Sequence, residues 1–439
     1  MRSLLLIIIV FITSMLISCN KSDPVGPTDS GLDPFSNGSS KRNMIVVISD
    51  IHLGADLDYS EINKNLKPLE NFLVKIRSSQ NVKELVIAGD LLDEWFVPAT
   101  TNTYEGKDQS DFVQRIAASN KGVIDAFNNI IKDGHIIVTY VPGNHDLTIT
   151  AANVESIFPG INQARDAELG LGTYSPADYP KIAIEHGHRY NFFCAPDPFS
   201  NQGIAPGTIT PPGYFFTRIA ALHVVQKDPP AGDIIPVVTR NVSGDESQNL
   251  LFGYWKIWEW ALNELTITNK FDENIIVTNV DGLTKTYSVK DLLPYQTTAS
   301  GLIEVNLYKG IQDTWLQRQA HNSVPVNIPT LQAIAGSALA SESDNQARTQ
   351  YFLNPNSDKR LVVFGHTHDA KIEASNNING QKSIYANSGT WIDHNPKKTT
   401  MNFIVITPQN ADGSSQTFVR LYNFEGELVT KMAEDSLLF

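Results

Sequence analysis

Five short runs of aliphatic and β-branched residues punctuate the chain: Met44–Ser49, Glu84–Ala88, His135–Val141, Lys181–Glu185 and Leu361–Phe364. Each has the length of a buried strand, and several lie close to Gly or Pro. Between the first three runs, two helix-like stretches fall at about 61–78 and 111–132. Strands alternating with helices predict an α/β sheet with helices packed on it. After residue 380 the rhythm changes, because 383–386, 401–407 and 417–423 are strand-like with no helix between them. That change predicts a second, mostly antiparallel portion of sheet.

The stretch 197–357 follows neither pattern and reads as an insertion between two core strands, dividing the core into 43–196 and 358–439. It holds proline-rich turns at Pro206, Pro211-Pro212 and Pro229-Pro230, and strand-like segments at Asn274–Asn279 and Thr284–Val289. Its helical stretch Phe252–Leu262 carries Tyr254, Trp255, Trp258 and Trp260. At helical spacing these aromatics spread over more than one face. They fit the core of the inserted subdomain or a wall for an apolar substrate.

The amino terminus has a different character. Arg2 precedes an apolar run, Leu4 to Ile17, interrupted only by Thr13 and Ser14. The run is shorter than the roughly 20 residues of a membrane-spanning helix and fits the apolar region of a secretory signal. Its end, Leu16-Ile17-Ser18-Cys19, resembles a bacterial lipobox. The resemblance implies a signal peptide over 1–19, lipidation of Cys19, and a lipid-anchored place in the bacterial cell envelope, periplasmic or surface-facing. Residues 20–42 are rich in Ser, Gly, Pro, Asp and Asn and read as a flexible tether.

Composition narrows the classes. With 439 residues the chain is large enough for one domain with an insertion, or for two domains. Hydrophobic residues at 41% and charged residues at 18% are a globular mixture. The net charge of −13 argues against a general nucleic-acid binder, which needs Lys/Arg patches. It leaves a phosphate-ester substrate open, since bound cations reverse the field at a site. Two cysteines, Cys19 and Cys194, are too few for a disulfide framework or a Cys-based zinc site.

The chemistry sits directly after the five strand-like runs. In order they are followed by Asp50-Ile51-His52, Gly89-Asp90-Leu91-Leu92-Asp93, Gly143-Asn144-His145-Asp146, His186-Gly187-His188 and Gly365-His366-Thr367-His368. The carboxyl ends of α/β strands are where ligand sites collect. Six of the ten histidines lie in these motifs. A spacing of two, as in Asp50/His52 and His366/His368, lets both side chains face one way where extended backbone enters a loop.

In this order and spacing the residues resemble the calcineurin-like metallophosphoesterase superfamily, from about Met44 to His368 and across the insertion. The resemblance implies an αββα sandwich and a binuclear metal centre. By motif it assigns Asp50, His52 and His368 to one metal and Asn144, His186 and His366 to the other, with Asp90 bridging. Nitrogen and carboxylate ligands without thiolate suit Zn, Fe or Mn. Two such ions clamp an in-line displacement at phosphorus, with a shared hydroxide as nucleophile. His145 would protonate the leaving group of a phosphomonoester or phosphodiester. Asp93 would orient His145, or would serve only as a helix-start carboxylate.

Some assignments stay open at this level. His186 and His188 compete for one ligand position; His186 is the first choice, which leaves His188 as a substrate-facing or supporting residue. Arg189 fits either a phosphate contact through its planar fork or an ordinary surface position. A competing function is a surface-binding lipoprotein that keeps the fold without the activity, but such a protein has no need of a leaving-group acid. The sequence names neither the substrate nor the oligomeric state.

Overall fold

The structure is a computed structural model that describes residues 33–167, 169–226, 235–264, 271–396, 398–409, 416–426 and 428–439. The signal segment, Cys19, the tether up to residue 32 and Pro229-Pro230 lie outside the described residues.

The first half of the core runs β1 (Met44–Ile48), α1 (Leu66–Ser78), β2 (Val82–Ala88), α2 (Gln109–Ser119), α3 (Lys121–Asp133), β3 (Ile137–Val141), α4 (Ala151–Ile157), β4 (Asn162–Gln163), β5 (Thr173–Tyr174) and β6 (Ile182–Glu185). The second half returns as β11 (Leu361–Phe364), β12 (Lys371–Asn376), β13 (Lys382–Asn387), β14 (Asn402–Thr407), β15 (Thr417–Glu425) and β16 (Leu428–Leu437). These strands build a seven-stranded sheet, β16-β15-β14-β1-β2-β3-β4, and a five-stranded sheet, β12-β13-β11-β6-β5. In the first, β1 to β4 are parallel and β14 pairs antiparallel to β1. In the second, β6, β11 and β13 are parallel, with antiparallel edges.

The period-two pattern of the strands explains how the sheets stack. Along β1, Ile45 and Val47 enter one apolar cluster and Met44, Val46 and Ile48 another; Val86/Ala88 and Leu85/Ile87 divide the same way on β2. The smaller cluster adds Ile182, Ile184, Leu361 and Val363 from the other sheet, so it is the layer between the sheets. The larger cluster takes in Leu69, Phe72 and Ile76 of α1 and Ile116 and Phe127 of α2 and α3. Both faces of each central strand are therefore buried, and the αββα sandwich expected from the sequence is present.

Three expectations change. The helical stretch 111–132 is two helices, broken at Asn120, whose amide donates to Gly54 O and Ile116 O, each at 2.8 Å. Helix α1 starts only at Leu66, because Asp393 collects the backbone N–H groups of Asn63, Lys64 and Asn65 and acts as a cap from the far end of the chain. The tether reading is too long at its C-terminal end: Phe35 is 3% exposed and packs on Phe72 and Phe403, while Asn81 holds Ser39 O and Lys41 O.

The insertion is mainly helical. It carries α5 (Pro212–Val225), α6 (Glu246–Glu264), two short hairpins, β7–β8 (Ile276–Val277, Thr286–Tyr287) and β9–β10 (Tyr295–Gln296, Ile303–Glu304), α7 (Val289–Leu292), α8 (Ile311–His321), α9 (Thr330–Gly336), α10 (Ala340–Ala347) and a π-helical turn, Arg348–Phe352. Tyr254, Trp255 and Trp258 of α6 are buried, whereas Trp260 is half exposed. Most of the aromatic run is thus the core of the insertion.

Candidate metal centre

The five motif loops converge at the carboxyl ends of β1, β2, β3, β6 and β11. The first two zip together beyond their strands, with Asp90 O accepting from both Ile51 N and His52 N at 2.9 Å. The glycines permit close approach: a Cβ at Gly89 would overlap the His186 ring, and one at Gly143 would overlap the Asp90 carboxylate. The backbone at the paired positions is left-handed and so departs from the extended form expected. Asp50, His52, Asp90, His366 and His368 have φ of 52°, 56°, 51°, 69° and 56°. Asp and His tolerate this region better than branched residues do, and such strain clusters at functional sites.

Asp90 stands at the centre. Its Oδ2 lies 3.1 Å from His186 Nε2 and 3.7 Å from His52 Nε2. On one side, His368 Nε2 approaches Asp50 Oδ1 at 3.1 Å and His52 Nε2 at 3.3 Å. On the other, Asn144 Oδ1 meets His186 Nε2 at 3.0 Å and His366 Nδ1 at 2.9 Å. The structure therefore brings all seven residues expected as ligands to one place, around Asp90. Asp50/His52/His368 and Asp50/Asp90/His186 each form a group that could hold an ion.

The donor set fits a cation. His186 Nδ1 donates to Ala88 O at 2.8 Å, so Nε2 presents a lone pair toward Asp90 Oδ2 and Asn144 Oδ1, which are themselves acceptors. Only a proton or a metal ion reconciles three acceptors at that distance. Without a metal, burial pushes the His186 imidazolium down, but Asp90 and Asp50 outweigh it and hold its pKa up at about 9. His52 is oriented in the same manner, Nδ1 being flanked by Asp93 Oδ2 at 3.0 Å and Glu61 Oε2 at 3.2 Å. Its Nε2 is thereby left for the centre.

Residues 44–207 match the family model of the calcineurin-like phosphoesterases. The match spans the Asp50, Asp90, Asn144 and His186 motifs, whereas His366 and His368 reach the same site through the fold, from beyond the insertion. No curated protein matches the chain.

His145 sits at the edge of this centre with its side chain 13% exposed. Its backbone N–H donates to Asp90 Oδ1 at 2.8 Å, and its Nδ1 bonds Asp93 Oδ1 at 2.9 Å. That leaves Nε2 free to exchange a proton. The ring stacks on Trp95, centroids 5.2 Å apart. Burial disfavours the imidazolium, but Asp93 and Asp90 hold its pKa above the ordinary histidine value. Asp93 in turn lies well below the ordinary carboxylate range, since His145 and His52 overcome the effect of its burial. Asp146 holds the turn, accepting from Gly143 N at 2.6 Å and Leu91 N at 2.8 Å.

One expectation needs correction and another narrows. Arg189 is no phosphate contact. Its guanidinium is buried and committed to Glu185 at 2.8 Å, Asp166 at 2.7 Å and Asn322 O at 3.2 Å. His188 is 2% exposed and stands behind the centre, its ring 5.3 Å from His186 and 6.4 Å from His366. Burial, with His186 and His366 adding to it, holds its pKa well below the ordinary value, and neither ring nitrogen has a hydrogen-bond partner among the described residues.

Glu61 and Thr390 escaped the sequence reading. Glu61 lies in the irregular approach to α1, with no motif around it. Thr390 Oγ1 and Trp391 N both donate to Asp50 O at 3.0 Å, which gives the small-residue stretch after β13 its role. The signal was that stretch itself, Asn387-Ser388-Gly389-Thr390-Trp391, following a strand.

Proposed function

We propose that the chain is a metal-dependent hydrolase of phosphomonoesters or phosphodiesters. Asp50, His52 and His368 would hold one ion of Zn, Fe or Mn, and Asn144, His186 and His366 a second, with Asp90 shared. Bound there, such ions supply Lewis-acid charge stabilisation and a nucleophile at neutral pH. The chain's own contribution is positional. Asp93 fixes the tautomer and orientation of His145, and His145 delivers a proton from Nε2 to the departing oxygen. Trp95 covers one face of that ring and limits its rotation.

The observation that supports this reading most is the crowding of lone pairs about Asp90 Oδ2, with a carboxylate-bound histidine beside it. A pure binding protein gains nothing from holding a carboxylate-paired His145 next to a cation site. The test is metal analysis paired with hydrolysis of an aryl phosphate. Purified protein is expected to carry about two transition-metal ions per chain, and chelation should abolish turnover until metal is restored. Full activity in metal-free protein would overturn the proposal.

A further inference from the structure

The loop Gly365–Asp369 carries a candidate ligand for each of the two ions, with Thr367 between them. Both histidines are left-handed, so the loop is strained and needs holding from outside. Behind it lies a small polar network. Asn387 Nδ2 donates to Gly365 O at 2.7 Å and to Thr367 Oγ1 at 3.0 Å. Thr367 Oγ1, its lone pair so engaged, donates to Asp344 Oδ1 at 3.0 Å. Tyr385 Oη donates to the same oxygen at 2.5 Å, and Lys371 Nζ pairs with Asp344 Oδ2 at 2.8 Å. The chain of donors ends on one carboxylate, which is 4% exposed.

That carboxylate comes from the insertion, on α10, and not from the strands that supply the ligands. We propose that Asp344 is a positioning residue for the metal centre: through Thr367 it fixes the backbone between His366 and His368 and so sets both ions at once. The inference rests on the metal reading given above. Three features support it over a plain ion pair with Lys371. Asp344 takes the Thr367 hydroxyl directly; its other neutral donors, Tyr385 and Asn387, face the same loop; and Asn387 clasps Gly365 on the other side of His366.

The test is a double-mutant cycle on the full chain, read by Mn(II) titration of metal-free protein. Thr367→Val removes only the hydroxyl, and Asp344→Ala removes its acceptor. Each is expected to raise the half-saturation concentration of both binding steps by about 10–100-fold, the usual scale for residues that orient ligands. The double variant should be no weaker than the worse single one, because both break one connection. Asp344→Asn, which keeps an acceptor for Thr367, should recover part of the loss. Unchanged half-saturation in Thr367→Val would overturn the inference, and so would purely additive effects. A lower Tm in Asp344→Ala with wild-type Mn(II) binding would reduce Asp344 to a structural role. These outcomes leave the metal reading standing. Wild-type protein that binds none of Mn(II), Zn(II) and Fe(II) would instead remove that reading and the inference together. Should Asp344→Ala fail to fold, Thr367→Val alone decides.

Discussion

The core loops and the insertion meet at one place from opposite sides. All seven candidate ligands lie on loops of the core, within a few residues of a strand end. The insertion contributes none of them, yet touches the same loops from behind. Tyr351 Oη joins Tyr190 Oη on Glu185, the residue before His186. Asp344 takes Thr367. Tyr214 packs edge-on against Trp95, which stacks on His145. Arg218, fully buried on α5, donates to Val97 O at 2.6 Å, Pro98 O at 3.0 Å, Thr101 O at 2.5 Å and Val277 O at 3.0 Å, binding the chain that follows Asp93. The two regions divide the work. On the proposed function the core would place the atoms that touch reactants, and the insertion would hold the loops that carry them.

The division predicts different failures on the two sides. The largest effect should come from the core. His145→Ala is expected to lower turnover by roughly 10²–10⁴-fold on an ester with a poor leaving group, the scale of a lost general acid. Metal content should stay at the wild-type level, because His145 is not among the seven ligands. An activated aryl ester should lose less, its leaving group needing less help. Equal losses on both esters would show that the side chain acts in binding rather than in proton transfer, and the line between reacting and supporting residues would have to be redrawn.

An insertion variant should fail in stability first. Arg218→Met fills the space but leaves several buried carbonyls without donors, at a cost on the order of 3 kcal/mol. The urea midpoint should fall at unchanged slope while the folded protein keeps its metal. Loss of metal at wild-type stability would mean that the insertion governs the centre directly at this point as well, and the contrast between the regions would weaken.

What was legible in the sequence follows the same line. Ligand positions are confined to short motifs after strands, because a ligand must sit where the backbone leaves the sheet. That is why the motifs holding Asp50, Asp90, Asn144 and His366 stood out in the sequence and carried the family resemblance, which in turn implied the ligand set and the sandwich. Supporting positions obey no such local rule. Asp344 stands 23 positions before Thr367 and Glu61 nine positions after His52, and both reach the site through contacts only the fold creates. Arg189 misled for the same reason: its neighbour His188 stands in a motif, but Glu185, four residues back at the end of β6, claims the guanidinium. The end of the tether was misjudged because one buried aromatic, Phe35, outweighs a polar composition.

The finest test separates two partners of one carboxylate. Asp93 bonds both His145 Nδ1 and His52 Nδ1, but His52 has a second carboxylate in Glu61, at 3.2 Å, whereas among the described residues His145 pairs closely only with Asp93. Removing the charge with Asp93→Asn should therefore disturb His145 more than the ligand. The acid works only while protonated, so turnover is present below its pKa and falls as pH rises through it. Burial pulls that pKa down while Asp93, then Asp90, raises it. With Asp93 neutral the opposing pull is weaker, and the alkaline limb of kcat should move to lower pH, with Mn(II) half-saturation close to wild type. Asp344→Ala should do the reverse, weakening metal binding and leaving the limb in place. If Asp93→Asn instead weakens metal and leaves the limb unmoved, the carboxylate serves His52, and the task of charging His145 passes to Asp90, whose Oδ1 already accepts the His145 backbone N–H at 2.8 Å.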